Sequence, residues 1–248
     1  MHTTLTVNLT ALKANYRTLA GQFTGAQTAA VVKADAYGLG ANQVTRALIE
    51  EGCTQFFVAT LEEAIALRHE FENITIAVFH GAFRGEEEAF TQHRLVPVIN
   101  TAEQLERWIA TPPPLAGGAG GGNETSPAHQ DSPPNPPWGG GGLIRRTASG
   151  GVNGTKSSGG EIDKTPPYYL HVDTGMTRLG LTHSELVSQL TQIKSQPPAL
   201  LMSHLACAST QDHEKNAEQF QRFEEAKKLL PDTPTSFCNS AGIYLDKE

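Results

Sequence analysis

Cysteine, tryptophan and methionine are scarce, at 3, 2 and 3 in 248 residues. Cys53, Cys207 and Cys238 are far apart and odd in number, which argues against a disulfide framework or a metal site and leaves buried free thiols as the expectation. No window approaches the ~20 apolar residues that a membrane-spanning helix needs, so no membrane partner is expected. There is no basic run, and the net charge of −7 with a pI near 5.7 argues against a nucleic-acid partner. The opening Met1-His2-Thr3-Thr4-Leu5 has no cationic segment followed by an apolar stretch, so no secretory leader is expected and a cytoplasmic location is the default.

What is present is an alternation of strand and helix signals. With 38% aliphatic and aromatic residues, the chain can build a sizeable core. Extended apolar runs fall at Ala29–Val32, Phe56–Ala59, Ile74–Phe79, Leu95–Ile99, Tyr168–Val172, Leu200–His204 and Ser236–Cys238. Between them Thr60 with Glu63, Thr101 with Gln104, and Thr182 with Glu185 fit the capping box, in which two side chains satisfy orphan amides at a helix start. Helical spacing follows in Leu105, Trp108 and Ile109 and in Leu186, Leu190 and Ile193. A longer helix is predicted over Asp212 to Leu230, with Phe220, Phe223 and Leu230 inward and Pro231 ending it, and Leu9, Leu12, Tyr16 and Leu19 predict one before the first strand. Glu86-Glu87-Glu88 reads as a helix start favoured by the macrodipole. Repeated β-then-α units imply a parallel sheet. Seven strands are one short of a (β/α)8 barrel, so the chain is expected to be the N-terminal portion of a longer protein, with two unpaired edges.

Residues 111–165 differ in kind. They hold 14 of the 24 glycines and 8 of the 15 prolines, and so bury too little apolar surface to offset ordering entropy. A disordered insertion is expected there, dividing the barrel into 1–110 and 166–248. Such an insertion is tolerated because loop-closure cost grows only logarithmically with length.

Four stretches carry chemistry. Val31-Val32-Lys33-Ala34-Asp35-Ala36-Tyr37-Gly38-Leu39-Gly40 places a lysine at a strand end and two glycines in a turn. An ammonium there is costly to desolvate, which favours a nucleophilic amine. Later come His171-Val172-Asp173-Thr174-Gly175-Met176-Thr177-Arg178-Leu179-Gly180, Met202-Ser203-His204-Leu205-Ala206-Cys207-Ala208 and Cys238-Asn239-Ser240-Ala241-Gly242. Each lies near the C-terminal end of a predicted strand, where barrels place their sites. Taken singly, these features also suit a snorkelling lysine, a surface arginine, a core histidine and an ordinary strand-to-helix turn.

In this order the four motifs resemble those of the alanine racemase family, whose members use pyridoxal 5'-phosphate (PLP) on a TIM-type barrel followed by a mostly β domain. The resemblance implies that Lys33 forms the Schiff-base link to PLP and is the catalytic base for the D-enantiomer. It assigns Tyr37 and Ser240 to the phosphate, His204 to the ring face, Asn239 to the lining, and Arg178 to the ring oxygen and substrate carboxylate. No metal is implied. Many members carry a carbamylated lysine seven residues before that arginine, where this chain has His171, so Arg178 is expected to be oriented by another anion, by a bound chloride, or less firmly.

The implied fold is therefore an α/β, PLP-binding (β/α)8 barrel that is incomplete, and the implied function is alanine racemisation supplying D-alanine for peptidoglycan, in a homodimer. The second base of the family is a tyrosine of the partner's C-terminal domain, and Tyr168, Tyr169 and Tyr244 have no spacing that substitutes for it. The chain alone is thus expected to be incompetent. An inactive PLP-binding module and a racemase of another amino acid are the alternatives. A single-domain PLP carrier shares the barrel type but lacks the Asp-Ala-Tyr-Gly continuation.

Overall fold

A computed structural model describes residues 4–22, 25–111 and 166–245. The expected insertion over 111–165 lies outside the described residues, Thr111 apart. Seven parallel strands pair in chain order: β1 (Ala30–Val31), β2 (Gln55–Val58), β3 (Thr75–Val78), β4 (Val96–Ile99), β5 (Tyr169–His171), β6 (Leu200–Met202) and β7 (Thr235–Ser236). All seven expected strands are present, each within a few residues of its predicted run, as an incomplete α/β barrel with β1 and β7 as its edges.

The helices among the described residues are α1 (Leu9–Ala20), α2 (Lys33–Gly38, a single turn), α3 (Ala41–Ile49), α4 (Leu61–Glu70), α5 (Glu87–Gln92), α6 (Ala102–Ile109), α7 (His183–Ser188), α8 (Leu190–Ser195) and α9 (Glu214–Leu229). A short 3-10 turn, Gly242–Tyr244, follows β7. The capping boxes of Thr60 with Glu63 and Thr182 with Glu185 are complete. That of Thr101 is half made. Thr101 accepts from the Gln104 amide, but the Gln104 side chain turns to Asn100 N (2.8 Å) and His80 O (2.8 Å) instead. The helical pattern through Leu186, Leu190 and Ile193 is split by a turn at Gln189 into α7 and α8. Phe220, expected inside, is 50% exposed, and α9 buries Asn216, Gln219, Phe223 and Ala226. Of the three free thiols only Cys53 is fully buried; Cys207 and Cys238 are half-buried.

Side-chain alternation along the strands produces two cores. The outer one lies between sheet and helices and includes Phe56, Ile76, Val78, Ile99, Leu105, Trp108, Leu170 and Leu201. Trp108 meets Phe90 edge-on at 5.9 Å and donates its indole N–H to Pro166 O at 2.9 Å. The inner one fills the barrel with Phe57, Ala77, Val96, Val98, Tyr169, Leu200 and Met202, and Phe57 stacks on Phe79 with ring centroids 5.0 Å apart. Tyr169 reaches across the interior to accept from the Gln55 amide.

At the opposite end of the strands, Arg68 of α4 is buried and makes no ion pair among the described residues. Its guanidinium donates to the carbonyls of Phe71, Glu72, Ile74, His93 and Arg94 at 2.8–3.1 Å, tying α4 to the entries of β3 and β4. Burial, and then the nearby positive Arg94, pulls it down to about 10, so it remains charged near neutrality. Replacing Arg68 with Met strands these acceptors, and a loss of about 3 kcal/mol is expected in urea unfolding. A change below ~0.5 kcal/mol, as at an ordinary surface position, contradicts the staple.

Candidate functional site

Strand parity delivers two of the predicted residues, Lys33 and His204, to the inner side at one end of the barrel. Ala29 packs with the inner core, and Lys33 continues the same alternation beyond β1. Phe79 after β3, Asn100 after β4, His171 at the end of β5 and His204 after β6 follow the same rule. The Lys33 Nζ lies 5.6 Å from the Phe79 ring centroid, so the amine points inward over an aromatic face.

The backbone just past Lys33 is unusual. Ala34, Asp35, Ala36 and Tyr37 all lie in the left-handed region, with φ of 51°, 52°, 52° and 57°. The two glycines of the motif were expected to make the turn, yet four non-glycine residues precede them in it. A left-handed conformation costs roughly 1–2 kcal/mol per such residue, and runs of it are rare. Strain of this kind persists only where surrounding bonds over-determine it. Ala36 N donates to Val32 O (2.9 Å), Gly40 N to Asp35 O (2.9 Å) and Ala41 N to the Asp35 carboxylate (2.6 Å). Ala34 N donates to the Glu63 carboxylate at 2.7 Å. Tyr37 closes the run with its side chain 66% exposed.

At β5, His171 is buried and its Nδ1 lies 2.9 Å from Asn100 Oδ1. The Asn100 amide nitrogen is already committed to Phe79 O (2.8 Å) and Val98 O (2.9 Å). Its oxygen therefore accepts, the proton sits on His171 Nδ1, and Nε2 keeps its lone pair. Burial, and then His204, push His171 down to about 4; Arg178 acts the same way, and Asp173 opposes them. His204 is also lowered, by burial first and then by Arg178 and Lys33. Lys33, His171 and His204 continue the inner positions of β1, β5 and β6, and Arg178 is in the loop after β5, so all four stand at the same end of the barrel.

The loop bearing Arg178 is built by its own motif. Asp173 accepts from Gly175 N (2.8 Å) and Thr177 N (3.0 Å), and the chain returns so that Leu181 N donates to His171 O (2.8 Å). Any Cβ on Gly180 would lie 2.8 Å from Asp173 N, so only glycine fits that return. Arg178 itself is exposed. His204 is held through its backbone: fully buried Gln219 of α9 donates to His204 O (2.9 Å) and Thr174 Oγ1 (3.1 Å) and accepts from Ala206 N (2.8 Å).

Asn239 and Ser240 follow β7, at the sheet edge opposite Lys33 and Tyr37. Asn239 spends its side-chain oxygen on Gly242 N (2.8 Å), which makes it a turn former. Ser240 is exposed, and among the described residues neither its hydroxyl nor its amide has a partner. No hydrogen bond among the described residues joins Tyr37, Arg178, His204 and Ser240 directly. Phe79, Asn100, Gln104, Glu63 and Gln219 were not singled out in the sequence as site residues. A polar residue such as Asn100 at the C-terminal end of a barrel strand is the one signal that was available. Among the described residues no cluster of His, Cys, Asp or Glu suits a metal ion, and no helix is long and apolar enough to cross a membrane.

The model of the alanine racemase N-terminal domain matches residues 7–116 and 155–248. A catabolic alanine racemase of Agrobacterium fabrum is 36% identical over 250 residues, covering 98% of this chain and 52% of the relative. An alanine racemase of Rickettsia typhi is 32% identical over 249 residues, covering 99% and 50%. Among solved structures, the alanine racemase of Bartonella henselae with covalently bound pyridoxal phosphate superposes with a TM-score of 0.73 at 30% identity, over 97% of this chain and 57% of that one. That of Acinetobacter baumannii, at 22% identity and a TM-score of 0.69, shows the same fold over 95% and 53%. The chain spans about half the length of the curated relatives it matches.

Two outcomes follow from this geometry. His171 binds its proton less readily folded than unfolded, so its contribution to stability is complete above about pH 6.5 and is lost as pH falls toward 4, by about 3 kcal/mol. Urea titrations at pH 7 and pH 4 should show a smaller difference in His171→Gln by that amount; an equal difference contradicts the buried neutral imidazole. Ala34 is exposed, so Ala34→Gly loses no packing and should raise stability by up to about 1 kcal/mol. A loss of about 1 kcal/mol, the ordinary penalty for glycine in a right-handed helix, contradicts the left-handed turn.

Proposed function

The chain belongs to the alanine racemase family, and on that premise we propose that its barrel is the pyridoxal-phosphate-binding part of an enzyme interconverting L- and D-alanine, supplying D-alanine for peptidoglycan. The observation that carries this reading is the Lys33 amine pointing inward over Phe79, at the same end of the strands as Arg178 and His204. An amine, a permanent cation, a flat imidazole and a serine turn with uncommitted donors are the groups that an aldehyde, a ring oxygen, a ring face and a phosphate require. The residues present therefore fit the cofactor.

In this reading Lys33 holds the cofactor covalently and, once free, takes and returns the α-proton on one face of the substrate. Arg178 fixes the ring oxygen and the substrate carboxylate with its forked donors. His204 would lie against the ring, Tyr37 and Ser240 would hold the phosphate, and Asn239 shapes the turn that presents Ser240. The bound cofactor supplies delocalisation of the negative charge left on Cα. His171 stays neutral and contributes a lone pair rather than an anion beside Arg178. Tyr168 and Tyr169 do not serve as the base for the opposite face. Both are buried, burial pushes both phenols up, and their oxygens are engaged with Gln196 O and the Gln55 amide. Family resemblance puts that base on the partner subunit's C-terminal domain, in keeping with a homodimer. The homodimer and a cytoplasmic location rest on family membership alone. Residues 1–110 and 166–248 are read as two parts of one barrel around an insertion at 111–165, supported by the break in the family match between residues 116 and 155.

A second reading is a binding module without turnover. Mixing the chain with PLP, reducing with borohydride and mapping peptides should give one adduct, on Lys33, and none there in Lys33→Ala. An adduct spread over surface lysines contradicts both readings. A D-alanine assay on the loaded chain then separates them, since a Lys33 adduct without racemisation marks the module.

A further inference from the structure

The Glu63 carboxylate does more than cap α4. Its Oε2 accepts from Ala59 N at 2.7 Å and Thr60 N at 3.4 Å, as a capping glutamate at the end of β2 does. Its Oε1 leaves the helix and accepts from Ala34 N at 2.7 Å, 29 residues away at the end of β1. The amide concerned belongs to the Lys33–Ala34 peptide, so the bond fixes the peptide plane next to the Lys33 Cα. It also holds the first of four left-handed residues, a conformation that is strained for side chains with a Cβ. The other bonds that restrain this run, from Ala36, Gly40 and Ala41, start and end within residues 32–41. Among the described residues Glu63 makes no ion pair, so its charge is directed wholly at backbone amides, the geometry of strong charge-assisted bonds. β1 and β2 are neighbours, with Val32 N donating to Phe57 O at 2.8 Å, and this adjacency lets a cap on one βα unit reach the strand end of the previous one.

We infer that Glu63 is a positioning residue for Lys33, its carboxylate locking the Lys33–Ala34 peptide and the left-handed turn so that the amine is aimed over Phe79 into the mouth. The inference rests on reading Lys33 as the cofactor lysine. Glu63 touches neither cofactor nor substrate; it acts through the backbone.

The test separates this role from helix capping. Thr60→Ala removes the other half of the same cap and leaves the bond from Ala34 to Glu63 intact. Glu63→Ala keeps the backbone bond to Thr60 but removes the carboxylate's half of the cap together with the Ala34 bond, and Glu63→Gln keeps one acceptor oxygen at nearly constant size. Two readouts are taken on the 248-residue chain: amide hydrogen exchange of residues 33–40 without PLP, and the rate and selectivity of borohydride-trapped PLP on Lys33. In Glu63→Ala the Ala34 amide should exchange at least tenfold faster and Lys33 should label at least tenfold more slowly, with label appearing on other lysines. Glu63→Gln should fall between, and Thr60→Ala should match the parent in both. Equal loss in Thr60→Ala and Glu63→Ala overturns the proposal in favour of capping alone. So does unchanged exchange, or changed exchange with unchanged Lys33 labelling. If the parent protein itself gives no Lys33 adduct, the cofactor reading falls and the positioning role with it, and the exchange data then report only a backbone clamp.

Discussion

A parallel strand with helices outside and a barrel interior inside has to bury both of its faces, and in this chain that requirement assigns nearly every large side chain. Odd and even residues are sent to different cores, Phe56 and Ile76 outward and Phe57 and Ala77 inward. The same two-residue period continues past the ends of the strands, where the backbone leaves the ladder and the side chain at an inward position no longer has a packed layer above it. Phe79, Asn100 and His204 stand there, with His171 on the last residue of β5, and polar groups are tolerated where two residues earlier, in the packed layer, they would be stranded. The chemistry of the mouth is in this sense a boundary condition of the core beneath it.

Holding the mouth together takes long-range bonds rather than bulk burial. Glu63 joins the end of β2 to the end of β1. Asn100 joins β3 and β4 to His171 of β5. Gln219 ties the loops after β5 and β6 to α9. Each is a buried or half-buried polar side chain whose donors and acceptors are matched to backbone groups freed where the strands stop, and each fixes a neighbour in place: a lysine peptide, a histidine tautomer, a histidine backbone. Arg68 does the equivalent at the opposite end of the sheet, where no chemistry is placed.

Much of this was legible in the sequence and some was not, for identifiable reasons. Strand runs such as Ile74–Phe79 announce themselves because burial on both faces demands continuous apolar residues. Capping boxes at Thr60 and Thr182 are local and were read correctly. The left-handed turn was not legible, since alanine and tyrosine disfavour positive φ, aspartate adopts it as a single residue rather than in a run, and the glycines beside them drew the expectation; bonds supplied from elsewhere in the fold override propensity there. The Glu63 bond to Ala34 is invisible for the same reason, being a contact between two βα units. Gln104 looked like a capping partner and was diverted by His80 O and Asn100 N, again tertiary groups. Phe220 failed because helical spacing alone does not say how wide a face the sheet covers. As for the site, the sequence motifs named Lys33, Tyr37, Arg178, His204, Asn239 and Ser240, and the fold puts each at the C-terminal end of a strand. What the motifs could not convey is that Asn239 spends its oxygen on its own turn, or that His171 is neutral with its proton pinned by Asn100.

The central claim is that a strained, externally clamped turn aims Lys33 into the barrel mouth as the anchor of a cofactor. A crystal structure of the chain grown with PLP tests it most directly. The account predicts continuous density from Lys33 Nζ to the cofactor, positive φ from Ala34 to Tyr37, and the Glu63 carboxylate on Ala34 N. Density on any other lysine, or a right-handed turn after Lys33, would contradict it.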